Sequence, residues 1–153
     1  MNGMDTQTIC DMITRNAIEL KLLDVDLHKK HKLRADGPEA VDAWKEAAGL
    51  FCGRYNELAF PGGYNGALER LLNGDALAME ASICFLELRP FFFRSGFMFK
   101  DILRKARKAP LTEDQRKRLA LVELAVVQWR SQKRNAQQNN SAATQEASTE
   151  EPQ

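Results

Sequence analysis

The sequence predicts an all-α fold: a compact bundle of five or six helices with a disordered C-terminal tail. Three observations predict it. Apolar residues recur at spacings of three and four through most of the chain, and no run alternates with period two over the length of a strand. Four interior prolines, Pro38, Pro61, Pro90 and Pro110, cut the chain into helix-sized pieces. Each lacks an amide donor and disfavours helix in the residue before it. The closing stretch NNSAATQEASTEEPQ holds no aromatic and no branched aliphatic side chain, so it cannot bury enough surface to order itself. With 153 residues, 44% of them hydrophobic, the expected division is one helical domain over 1–138 and an acidic tail over 139–153.

The first helix is expected from about Asp5 to Lys32, where Ile9, Met12, Ile13, Ala17, Leu20, Leu23 and Leu27 share one face. Its basic end, HKKHK, suits the negative pole of the helix dipole. The second opens at ADGPEA, with Pro38 in a first-turn position, and carries the stripe Val41, Trp44, Ala48, Phe51, Tyr55, Leu58. PGGYNG closes it and leads to a short helix over about 66–73, stopped by Gly74. Asp75 then caps ALAMEASICFLELR, which is apolar on nearly every side and so belongs at the centre of the domain. Ser95 is the expected cap of a helix over about 96–108. Thr112 and Gln115 form a capping box for a last helix ending between Gln132 and Gln138.

Charge is segregated along this frame. Residues 1–88 carry 9 basic and 14 acidic groups, a net of −5, whereas residues 89–134 carry 13 basic and 4 acidic, a net of +9. The densest cations are Arg104, Lys105, Arg107 and Lys108 at the end of one helix and Arg116, Lys117 and Arg118 at the start of the next. Cations at a helix C-terminus are favoured by the dipole, but those at an N-terminus face its wrong end. The turn at 104–118 is therefore the leading candidate for binding a partner or an anion.

The stretch RPFFFRSGFMFK, Arg89 to Lys100, holds five of the eight phenylalanines. A stacking platform would use such rings with Arg89, Arg94 and Lys100 as phosphate contacts. The expectation is instead a packed junction, with Phe92 opposite about Trp129 and Phe97 opposite about Leu124. Three consecutive phenylalanines cannot point one way, so Phe93, with Arg89, Arg94 and Lys100, is retained as a secondary contact. Arg94 is the expected partner of Glu87 or Glu80 on the central helix.

Other signals carry less. Asp24, His28 and His31 share a helix face, but Lys29, Lys30 and Lys32 oppose a divalent cation there, so no metal site is assigned. PGGYNG lacks the Gly-Lys-Ser/Thr of a phosphate-binding loop and is read as a connection. Cys10, Cys52 and Cys84 lie far apart with no metal spacing, which points to free thiols and a reducing compartment. Glu80 and Glu87 have no nucleophile beside them, so no catalytic residue and no cofactor is assigned. The N-terminus is too polar for a signal peptide, no apolar run reaches membrane-spanning length, and the expected location is the cytoplasm. The expected function is a non-enzymatic protein-binding module: an adaptor, an inhibitor or immunity-type partner, or a complex subunit. Nucleic-acid binding through residues 104–118 is the alternative, and no membrane role is expected.

Overall fold

A computed structural model describes residues 4–149, with side chains as far as 142. All the regular structure among the described residues is helical: α1 (Thr6–Lys32), a 3-10 turn (Arg34–Asp36), α2 (Pro38–Ala59), α3 (Ala67–Leu72), α4 (Ala76–Leu88), α5 (Ser95–Ala106) and α6 (Glu113–Thr149). No helix among them is long and apolar enough to cross a membrane.

The hydrophobic α4 is the central element. Eight of its 13 residues are buried, from Ala78 and Met79 through the run Ala81–Leu86. Asp75 starts it by accepting from the Ala78 amide at 2.9 Å. Helices α1, α3, α5 and α6 all pack on α4, and α2 packs along α1. An aromatic chain runs through the interior, with Phe60 against Phe85 at 6.3 Å, Phe85 against Phe92 at 6.2 Å and Phe92 against Tyr55 at 6.1 Å. The last two pairs cross near-perpendicularly, at 82° and 72°, which is a preferred aromatic geometry at such distances.

PGGYNG is a connection, as its composition implies. Arg70 closes it by donating to the carbonyls of Gly63 and Asn65, at 2.8 and 3.1 Å. Gly63 sits at φ 88°, and a β-carbon there would come within 3.0 Å of the Asn56 side chain, so glycine is required on both counts.

Helix α6 continues past the expected end near Gln138 to Thr149. No glycine or proline interrupts it over this length. From Gln132 to Ala142 every residue is exposed, so neither the last turns of the expected domain nor the start of the expected tail adds to the core. Residues 150–153 of that tail lie outside the described residues.

Candidate functional site

The segment between α4 and α5 departs from the expected packed junction. Phe92 is buried and Phe99 half-buried, but Phe91, Phe93 and Phe97 are 77%, 50% and 69% exposed. The expected pairing of α5 with α6 is also displaced. Phe99, not Phe92, meets Trp129 at 6.3 Å, while Phe97 and Leu124 both face solvent. The cause lies in the connection. Ala109 and Leu111 are buried, which seats the turn against the core. Gln115 and Arg118 in the opening turns of α6 bond to Glu80 of α4, and Trp129 further along meets Phe99 of α5.

Local backbone geometry fixes this segment. Arg89 ends α4 at φ 47° and Arg94 precedes α5 at φ 66°; they are the only non-glycine residues at positive φ among those described. A side chain in that region costs on the order of 1 kcal/mol, and such strain concentrates where function demands it. Ser95 does not cap α5 from outside, as expected. It is the first helical residue, and its hydroxyl accepts from the Phe92 amide at 3.1 Å, tying the loop to the helix start. Tyr55 donates to the Phe93 carbonyl at 2.6 Å, and the Phe51 ring meets that of Phe93 at 6.0 Å. The exposed rings therefore stand on a braced loop.

Each arginine of the loop has an aromatic neighbour. Arg89 lies 3.9 Å from the Trp129 ring centre and Arg94 5.3 Å from that of Phe93, while Lys21 of α1 lies 5.2 Å from that of Phe91. None of Arg89, Arg94, Lys100 and Lys21 has a carboxylate partner within ion-pair distance among the described residues. Along α5, Phe97, Lys100 and Arg104 follow one another at steps of three and four on the side away from the core, and Lys108 continues the line into the turn. All four are exposed.

The seven cations of the 104–118 turn separate into three groups. Arg118 is turned inward: its guanidinium binds Glu80 and Glu87, each at 2.5 Å. Glu80 also accepts from Thr6 and from Gln115, both at 3.0 Å, so α1, α4 and α6 meet at one carboxylate. Burial raises the Glu80 carboxyl, but the hydrogen bonds from Gln115, Arg118 and Thr6 outweigh it and hold the group below the ordinary range. The expected role of Arg94 as partner of Glu80 or Glu87 thus belongs to Arg118. Arg104, Arg107 and Lys117 are outward but paired, with Asp101, Glu123 and Glu113. Lys105, Lys108 and Arg116 remain without a carboxylate partner among the described residues.

Beside this network, the Cys84 thiol lies 3.7 Å from both Glu80 and Arg118. Burial, followed by the neighbouring Cys10, pushes it up to about 12. Asp24, His28 and His31 share a face of α1, but His31 has separate partners. His28 pairs with Asp24 at 2.9 Å, whereas His31 packs on Trp44 at 5.1 Å and meets Arg34.

Comparison with protein-family models, with curated proteins and with solved structures found no match.

Proposed function

We propose that this protein is a non-enzymatic protein-binding module of a reducing, cytoplasmic compartment, and that it docks its partner on the outer face of α5 and the loop before it. One observation carries the reading. Phe93 and Phe97 present apolar surface on a braced scaffold, with Arg94 beside them and Lys100 and Lys108 further along the same side of α5, and none of the three has a carboxylate partner among the described residues. Aromatic anchors and arginine are enriched at interface hot spots, and the cations beyond them would steer an acidic partner. The complementary partner is a segment with apolar anchors between acidic residues. Glu80 and Glu87 are committed to Arg118, which supports a structural use of these carboxylates over catalysis.

Nucleic acid ranks second because its two requirements are poorly met. Four of the seven turn cations are already engaged by carboxylates, and Arg94 lies over the Phe93 ring where a base would stack.

The test is photo-crosslinking in cells from a benzoylphenylalanine at position 97. It is run beside titration of the purified protein with random single-stranded RNA and duplex DNA at about 50 and 200 mM salt. A discrete protein adduct that disappears on Lys100→Glu with Lys108→Glu is the expected result. Salt-sensitive nucleic-acid binding lost in that variant, without a protein adduct, would replace this reading with the second.

A further inference from the structure

Helix α1 is apolar on two opposite sides, and the fold uses only one. Ile9, Ile13, Ala17 and Leu20 face the core. On the other side Ile18, Leu22 and Val25 are 54%, 64% and 66% exposed. Their spacing of four and three is that of a coiled-coil seam. Carried outward in both directions, the same spacing adds Arg15 and Asp11 towards the N-terminus and Lys29 and Lys32 towards the C-terminus. All seven residues of this line are exposed. From Asp11 to Lys29 the line is about 27 Å long by helical rise.

The line is polar at its ends, and the two ends carry different charge. Among the described residues Asp11 accepts only from Gln7 of its own helix, at 2.8 Å, and Lys29 has no carboxylate partner. This polarity selects both an occupant and an orientation. A two-fold axis at position 20 sets Ile18 against Leu22 of a second copy, Arg15 against Val25 and Asp11 against Lys29. Each pairing then occurs twice, as an isologous contact requires. A parallel pair would instead set Asp11 against Asp11 and Lys29 against Lys29. Lys21 flanks the axis, but its ammonium is drawn over the Phe91 ring of its own chain, to the side of the seam.

We propose that the protein self-associates through α1, pairing antiparallel with α1 of a second copy along Asp11–Ile18–Leu22–Val25–Lys29. This surface belongs to a different helix from the partner-docking face on α5, and either can fail without the other.

The experiment is sedimentation velocity of the full chain over a wide concentration range, with oxidative crosslinking to read the register. The wild type should form a concentration-dependent dimer. Leu22→Glu should raise its dissociation constant about tenfold or more, with an unchanged helical circular-dichroism spectrum because the position is exposed. Asp11→Lys should weaken the dimer, and Asp11→Lys with Lys29→Asp should restore it. In a Cys52→Ser background, a mixture of Ile18→Cys and Leu22→Cys chains should crosslink faster than either variant alone. A wild type that stays monomeric throughout would overturn the proposal. So would a dimer indifferent to Leu22→Glu, or one in which neither the charge exchange nor the cysteine pair reports the antiparallel register.

Discussion

At the crossing of α4 and α6, one guanidinium serves two carboxylates, and Glu80 takes further hydrogen bonds from Thr6 and Gln115. Along the outer face of α5 and its preceding loop, Arg94 lies over the exposed Phe93 ring, and Arg94, Lys100 and Lys108 have no carboxylate within ion-pair distance among the described residues. Both regions are rich in charge and both draw on the basic half of the sequence. The first is closed on itself and joins three helices, so its charges act on the fold. The second is open, so its charges are available to another molecule. Basic residues adjacent in sequence thus differ in placement: Lys117 pairs with Glu113 at the surface, whereas Arg118 reaches the interior.

The sharpest way to break this contrast is to remove the guanidinium at the crossing. Arg118→Met leaves the partly buried Glu80, and Glu87 at the surface beside it, without a counter-charge and should cost about 3 kcal/mol of stability, read from urea unfolding. Removing a cap at the same central helix is milder. Asp75→Ala should cost about 1 kcal/mol, through the unsatisfied Ala78 amide. The open face behaves differently. Arg89→Ala gives up one cation–ring contact with Trp129 and should cost about 0.5–1 kcal/mol. Lys100→Glu with Lys108→Glu should move stability by less than about 0.5 kcal/mol while abolishing partner capture.

Acidity separates the two regions as well. Glu80 titrates lower in the folded chain than its ordinary value of 4.5, so the folded state binds fewer protons than the unfolded state over that interval. Its contribution is therefore present above that value and is lost as the pH falls through the depressed folded one. Glu80→Gln should flatten the acid limb of a stability–pH profile, whereas Lys100→Glu should not.

The helical frame was legible because its signals are local. Thr112 and Gln115 form the capping box in both directions, with the Thr112 amide donating to Gln115 at 3.0 Å and the Gln115 amide to Thr112 at 3.1 Å. Pro38 opens α2, Asp75 caps α4, and the continuous apolar character of α4 places it at the centre. What escaped the sequence depends on partners distant along the chain. Glu87 and Glu80 lie 31 and 38 residues before Arg118, and no spacing rule relates them. Ring exposure in Phe91–Phe93 escaped for another reason. Three identical side chains in a row have no periodicity from which to choose the buried one. The choice falls to backbone geometry at Arg89 and Arg94, and positive φ at an arginine has no signature in composition. The shifted pairing of α5 and α6 has a similar origin, since it follows from where Ala109 and Leu111 settle.

The placement of Cys84 gives the molecule a clock of its own. The native thiol stays protonated at neutral pH and is shielded by the layer that Arg118 closes, so a soluble alkylating reagent should meet an inert group. Cys52 is exposed on α2 and should be modified at the rate of a free thiol. With the half-exposed Cys10 replaced by serine, mass-resolved labelling therefore reads two rates at once. The fast one calibrates the reagent, and the slow one times how often the central helix is laid bare.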